Sequence, residues 1–282
     1  MEPSWILLGC GTTELLRNLP HAFALPDGEV VTARESYREL PLESQRLGLK
    51  THLVPLDRRL VQDLEAMARL VNEKTRIVNI TNPNNPTGTV LSREAVAGLA
   101  GKLPVEVVLC VDEAYIEFAP EVDSSGLVRK HRNVLVLRTF SKTQGLAGMR
   151  IGYALGHPDL LEPLRRCALR YSINTAGYAG ALAALEDSDH LRRTLRLRDQ
   201  ARVYYYQQEL AALGLAARVG VTPFVLAEVG RDSLAVVQDL LARGVYVRPG
   251  RDWDLPTWIR ISYGTMAQNR VVLGALKQVL KT

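Results

Sequence analysis

A chain of 282 residues, 47% hydrophobic and 23% charged, has the balance of a folded globular protein and the length for one large domain beside a smaller one. No apolar run approaches the ~20 residues of a spanning helix, and Met1-Glu2-Pro3-Ser4-Trp5 lacks the basic region and long apolar stretch of a signal peptide, so the expectation is a cytoplasmic protein with no membrane partner. The formal charge of +5 is scattered along the chain, which argues against nucleic acid and suits an anionic small molecule. The dense run Arg192-Arg193 through Arg196, Arg198 and Arg202 alternates with leucines as on a solvated helix. Cys10, Cys110 and Cys167 lie far apart without the paired spacing of a metal or redox motif, so reduced thiols and no metal are expected.

Taken in chain order, strands are predicted at Trp5 to Leu8, Glu29 to Thr32, Lys50 to Val54, Arg76 to Ile80, Val105 to Val111, Val134 to Arg138 and Arg150 to Ala154. Amphipathic helical stretches lie between them, among them Leu60 to Val71 and Arg93 to Leu103. Alternating strands and helices predict an α/β fold with a mainly parallel sheet covered on both faces. Nearly continuous apolar runs such as Val105 to Val111 fit strands buried on both sides. From about Thr175 the pattern becomes long helix. A smaller α+β segment follows, with a strand near Phe224, a helix from Ser233, short strands at Val245 and Ile259 and a closing helix. The chain therefore divides into a large domain, 1–190, and a small C-terminal domain, 191–282.

The strongest chemical signal is Arg138-Thr139-Phe140-Ser141-Lys142-Thr143-Gln144-Gly145-Leu146-Ala147-Gly148-Met149-Arg150. A strand ends in small hydroxyl residues, then a lysine, then a glycine-rich turn that leads to an arginine. Ligands of open α/β sheets bind at the carboxyl ends of the strands. Lysine forms Schiff bases, and hydroxyls with an arginine suit a phosphate. A lone lysine is ordinarily a solvated surface residue; the flanking residues set Lys142 apart.

Val111-Asp112-Glu113-Ala114-Tyr115 also follows a buried strand. A carboxylate there requires a partner, and either a helix N-cap or a cationic ligand atom satisfies it. Asn82-Pro83-Asn84-Asn85-Pro86-Thr87-Gly88 makes a rigid turn whose amides could hydrogen-bond a ring substituent. Gly9-Cys10-Gly11-Thr12-Thr13-Glu14 half matches a dinucleotide fingerprint, but Glu14 stands where the third glycine belongs, and it is no Walker A loop. Read physically, it is a helix N-terminus able to take a phosphate. Arg260 alternates with apolar neighbours in Ile259-Arg260-Ile261-Ser262 and is either a surface strand arginine or a bidentate carboxylate ligand.

In order and content these segments resemble the class I and II aminotransferases dependent on pyridoxal 5′-phosphate (PLP), and most closely the histidinol-phosphate aminotransferase family, from Ile6 to Thr265. The resemblance implies an aspartate-aminotransferase-like fold and a homodimer. It implies that Lys142 carries PLP and moves a proton from Cα to C4′, and that Asp112 pairs with the pyridinium nitrogen. Tyr115 and Asn85 would contact the phenolic oxygen, and Tyr37 would stack on the ring. Thr12, Thr13, Thr139, Ser141 and Arg150 would surround the phosphate. Arg260 would hold the substrate's α-carboxylate, and Asn85 would also belong to the substrate-binding residues.

The reaction so implied moves an amino group between a donor (histidinol phosphate, an aromatic or another amino acid) and a 2-oxo acid such as 2-oxoglutarate. The same cofactor residues would serve a decarboxylase of a phosphorylated amino acid, and a truncated, non-catalytic PLP-binding remnant is a third reading. The chain begins almost at the first glycine-rich loop, so the family's preceding segment, with its Asn-Glu-Asn-Pro motif, is expected to be missing. Arg170 to Asn174 and Val221 to Phe224 depart from the family's usual patterns beside the substrate pocket.

Overall fold

The alternation of apolar side chains along the strands dictates the architecture of the first half of the protein, whose computed structural model describes residues 1–281. Strands β1 (Ile6–Gly9), β2 (Glu29–Ala33), β3 (Lys50–Val54), β4 (Thr75–Thr81), β5 (Val108–Asp112), β6 (Val134–Thr139) and β7 (Gly152–Leu155) form a seven-stranded sheet in the order β1-β7-β6-β5-β4-β2-β3. From β3 to β6 the neighbours are parallel, and β7 alone is reversed, pairing antiparallel with β6 and β1. Every residue of β2 and β5 is buried.

Two apolar layers account for that burial. Val78, Ile80, Leu109, Val111, Val134 and Val136 point to one face. Ile77, Val108, Cys110, Leu135 and Leu137 point to the other, as the period of two along a strand requires. Helices α1 (Gly11–Phe23), α2 (Glu39–Arg46), α3 (Leu64–Arg69), α4 (Arg93–Lys102) and α5 (Pro158–Cys167) supply the covering residues. Leu15, Leu16, Leu19, Leu40, Leu161 and Leu164 of α1, α2 and α5 close the second layer, and Met67, Val96 and Leu99 of α3 and α4 close the first. Burying each large apolar side chain contributes roughly 1.5–3 kcal/mol. The polar loops at the strands' carboxyl ends can therefore be held without contributing to the core themselves.

Helices α6 (Thr175–Glu186) and α7 (Ser188–Val203) lead into a four-stranded antiparallel sheet. Its strands β8 (Ala217–Arg218), β9 (Phe224–Glu228), β10 (Arg248–Pro249) and β11 (Trp258–Ser262) lie in the order β10-β11-β9-β8. Val225, Ala227, Ile259 and Ile261 face a second core with α8 (Ser233–Leu241) and α9 (Met266–Val279). Alternation then places Phe224 and Arg260 on the other face. A capping box between Thr265 and Gln268 starts α9. Among the described residues no helix is long and apolar enough to cross a membrane.

Several element bounds differ from the sequence reading, each for a local reason. Val105 to Val107 stay outside β5, because Val107 N–H closes a turn on Pro104 O at 3.0 Å. Helix α3 starts only at Leu64 because the Asp57 carboxylate takes the Arg59 and Val61 N–H groups, both at 2.8 Å, and Leu60 has φ 58°. Arg150 is left-handed (φ 52°) and precedes β7. Val245 is a core residue outside β10. Arg198 breaks the picture of a wholly solvated α7: it is buried, donates to the Phe118 and Val221 carbonyls and lies over the Phe118 ring.

At the start of β2 the buried Glu29 gathers Lys50 (3.0 Å), His52 (2.6 Å) and Asn72 (2.8 Å). The hydrogen bonds from Asn72, His52 and Lys50 pull its carboxyl down to about 2 against the opposing effect of burial. A depressed folded-state pKa stabilises the fold above the ordinary carboxylate range and is lost as pH falls toward about 2. Glu29→Gln should therefore lower stability by about 2 kcal/mol at pH 7. The gap between wild type and variant in denaturant titrations should narrow steadily below pH 5; a gap that does not change down to acid unfolding would contradict this.

Candidate active site

The carboxyl ends of β4, β5 and β6 and the amino end of α1 converge on one cavity with about 520 Å³ of empty space, part of it open to solvent. Thr12, Thr13, Tyr37, Asn85, Asp112, Tyr115, Thr139, Ser141, Lys142 and Arg150 all line it, together with Thr81, Ala114 and Ala147. Segments separated by more than a hundred residues in sequence thus meet in one place. Arg260 lies in an adjoining outer cavity that shares Tyr37, Asn85, Tyr115 and Lys142 with the first.

Asp112 ends the central strand and is 2% exposed. Its Oδ1 accepts the Ala114 N–H at 3.1 Å, but the next element is only the short 3-10 turn Ile116–Phe118, so it caps no α-helix. Among the described residues no cationic side chain pairs with it. Burial lifts its pKa to about 6, against the opposing pull of the Ala114 N–H and the charge of Lys142. The adjacent acid is handled differently. Glu113 is fully buried, and burial lifts its pKa to about 7 against the pull of the Arg138 charge, but it has a cationic partner in contact: Arg138 gives it two hydrogen bonds, at 2.9 and 2.7 Å, and also binds Asp123. Burial opposes the Arg138 charge, yet its acidic partners hold that guanidinium above its ordinary range. Glu113 is thus a buttress, and Asp112 is left facing the cavity.

Lys142 Nζ sits 5.4 Å from the Tyr115 ring centre. The loop that carries it is clamped from outside: Glu117 accepts from Thr143 Oγ1 at 3.1 Å and Gln144 Nε2 at 3.3 Å, and His190 Nε2 lies 3.0 Å from the Thr143 carbonyl. In the Asn82 to Gly88 turn, Asn82 is consumed by both main-chain groups of Leu91, and Asn84 by Ser36, Thr87 and the Glu35 carbonyl. Asn85 is the amide left to face the cavity.

At the cavity's far end, the start of α1 brings main-chain N–H groups and the Thr12 and Thr13 hydroxyls to a point also reached by Thr139, Ser141 and Arg150. Arg150 bonds Ser141 Oγ (3.3 Å) and the carbonyls of Ala147 (3.1 Å) and Cys10 (3.3 Å), and no carboxylate among the described residues pairs with it. Gly11 has φ 74°, and a Cβ there would stand 2.6 Å from Arg150 Nη2, so glycine is needed for the guanidinium to reach the helix end. Glu14, which disqualified the dinucleotide motif, takes the Cys10 N–H at 2.5 Å and the Leu169 N–H at 3.2 Å. A helix N-terminus, hydroxyls and a guanidinium with no carboxylate partner among the described residues meet there, a set of donors able to bind an anion.

Arg260 is largely buried between two aromatic rings, 4.8 Å from the Phe224 centre and 5.0 Å from the Trp253 centre. Its Nη1 donates to Asn85 Oδ1 at 2.6 Å, while its Nε has no partner. No carboxylate among the described residues pairs with it, and burial pulls its pKa down. A buried guanidinium with a vacant donor and no anion is a binding site for one. Trp253, Arg248 and Arg251 of the outer cavity escaped the sequence reading. Their signal lay in Arg248-Pro249-Gly250-Arg251-Asp252-Trp253, where Gly250 alone fits, a Cβ coming within 2.4 Å of the Leu255 and Trp258 carbonyls. Among the described residues no cluster of His, Cys, Asp and Glu could hold a metal ion.

A buried acid whose folded-state pKa is raised costs stability as pH rises through that pKa. In the cofactor-free protein, Asp112→Asn should therefore increase stability by about 2–3 kcal/mol at pH 7–8, with the gain fading toward pH 4. Thermal unfolding across that range checks this; a destabilised variant at pH 8 would assign Asp112 to the fold.

A sequence profile for aminotransferase class I and II matches residues 1–276. Over 275 residues the chain is 38% identical to the histidinol-phosphate aminotransferase of Akkermansia muciniphila, covering 97% of this chain and 75% of that protein. It is 40% identical over 283 residues to histidinol-phosphate aminotransferase 2 of Ralstonia nicotianae, covering 98% and 75%. The crystal structure of histidinol-phosphate aminotransferase from Sinorhizobium meliloti in complex with pyridoxal-5′-phosphate superposes with a TM-score of 0.93 at 30% identity, over 100% of this chain and 78% of that one.

Proposed function

The chain belongs to the aminotransferase class I and II family, and from that premise we propose that it uses pyridoxal 5′-phosphate to move an amino group between histidinol phosphate and a 2-oxo acid such as 2-oxoglutarate. One observation carries the reading: a lysine amine and a buried, cation-free carboxylate face one cavity that ends in an anion cradle. The donor set fits the cofactor. Arg150, Thr12, Thr13, Thr139, Ser141 and the α1 N-terminus match a phosphate. Asp112 matches a protonated ring nitrogen, Tyr115 and Asn85 a phenolic oxygen, and Tyr37 a ring face. When bound, the cofactor supplies an electron sink conjugated to the substrate's Cα.

The residues divide the remaining work. Lys142 would hold the cofactor through Nζ, and its amine would carry the proton between the substrate's Cα and C4′. Asp112 would keep the ring nitrogen protonated, because it is buried with no cationic side chain in contact among the described residues, and that proton would compensate its charge. Arg260, held flat between Phe224 and Trp253, grips the α-carboxylate of the amino-acid partner. Histidinol phosphate presents a phosphate instead, and Arg251 in the same outer cavity adds positive charge suited to it, whereas Arg248 is paired with Asp252. The Trp253 and Phe224 rings cover the Arg260 guanidinium, and shielding from water strengthens its interaction with an anion.

On the same reading the chain divides near residue 190, supported by the three largest core clusters, two drawn from residues up to Leu164 and one from Tyr204 onward, with a small cluster of Tyr115, Phe118 and Phe224 joining the two sides. We assign it to the cytoplasm, which suits its free cysteines. We also propose a homodimer: Tyr178, Leu182 and Leu185 form an exposed apolar stripe on α6, with Leu169 and Tyr171 exposed just before it.

Borohydride reduction of the PLP-loaded protein should fix the cofactor to Lys142. A peptide map with the label on another lysine, or on none, would overturn the assignment. Asp112→Asn should retain the fold and lower turnover at least about a hundredfold, the scale of losing a preorganised electrostatic group; near-normal turnover would remove Asp112 from the mechanism.

A further inference from the structure

Two polar links cross the mouth of the outer cavity from the unit built on the seven-stranded sheet to the unit built on the four-stranded one. The first is Arg260 Nη1 to Asn85 Oδ1, already part of the anion site. The second is made by Arg38, which directly follows Tyr37 and precedes α2. Its Nη1 donates to the Asp252 carbonyl at 3.0 Å, across 214 residues of sequence, and lies 3.9 Å from the Asp254 carboxylate. Asp252 and Trp253 belong to the single turn Gly250–Trp253, which ends at a left-handed Asp254 (φ 58°). That turn has its own brace, Arg248 Nη2 to Asp252 Oδ2 at 2.6 Å, with the Arg248 guanidinium over the Trp253 ring. The Trp253 ring is in turn one of the two walls of Arg260.

We propose that Arg38 is a positioning residue for substrate anions: by tying the Asp252 carbonyl to the end of the Tyr37 segment, it sets the Trp253 wall and hence the orientation of Arg260. The inference rests on the anion-binding reading of Arg260 given above. It follows from the geometry of the bond. A hydrogen bond from a charged donor to a main-chain carbonyl fixes the backbone of the turn, whereas the longer ion pair to the half-exposed Asp254 adds little. Arg38 thus joins the cofactor side of the site, through Tyr37, to its substrate side, through Trp253.

Binding of glutarate, a dicarboxylate with no amino group to react, to the PLP-loaded protein isolates this effect from turnover. By calorimetry, Arg38→Ala should weaken glutarate about five- to tenfold, with cofactor content and melting temperature unchanged, and Arg38→Lys, which still reaches the carbonyl, should recover most of the loss. In a Trp253→Ala background, Arg38→Ala should add less than about twofold, because the two side chains act in series. Equal affinity in wild type and Arg38→Ala would overturn the proposal. So would losses from Arg38→Ala and Trp253→Ala that simply multiply, since Arg38 would then act on the ligand directly. A wild-type protein that loads PLP but binds no glutarate would remove the anion reading of Arg260 and this proposal with it.

Discussion

A carboxylate at the end of the central strand, out of water and without a cation in contact, is the constraint around which the site is organised. Asp112 is there because β5 is buried on both faces, so the strand's last side chain emerges into a cavity instead of solvent. Leaving it unpaired is costly, and among the described residues no cationic side chain pairs with it. Its neighbour Glu113, equally buried, receives Arg138 in two-point contact. Of two adjacent acids, one is neutralised by the fold and the other is kept for a ligand. Burial raises both acids' pKa values, so the contrast lies in their partners and not in their titration: an ordinary structural carboxylate would be paired as Glu113 is.

The same economy recurs at the other two charged positions. Arg150 and Arg260 are both held by main-chain carbonyls, hydroxyls, an amide or aromatic rings, and neither meets a carboxylate among the described residues. Each is oriented by neutral groups that do not quench it. Cavity, cradle and outer pocket therefore present an alternation of charge, negative at Asp112 and positive at both ends, that matches a molecule with a cationic ring nitrogen and anionic groups at either side. Rigid surroundings keep these groups in place before a ligand arrives, which is where much of an electrostatic rate enhancement originates.

Much of this architecture is legible in the sequence, for physical reasons. The parallel sheet can be read because its strands alternate two apolar layers, and the ligand end of the sheet can be read because Lys142, Asp112 and the Asn82 to Gly88 turn each follow such a strand. Helices α2 and α5 are less visible: α2 is short, and each contains a proline, Pro41 and Pro163. The start of α3 is hidden because the competitor is a side chain, Asp57, taking main-chain donors locally. The burial of Arg198 is hidden because period and charge do not reveal a carbonyl 80 residues away. The Trp253 wall escapes for the same reason, its importance lying in what it faces across the fold.

On the proposed reading, the buried charge of Asp112 at neutral pH is compensated by a proton on the ligand's ring nitrogen. Nitrogen-15 NMR of the protein loaded with ring-labelled pyridoxal 5′-phosphate reads that proton directly. A protonated ring nitrogen is expected from pH 6 to 8 in the wild type, and an unprotonated one in Asp112→Asn at the same pH. An unprotonated ring nitrogen in the wild type at pH 7 would contradict it.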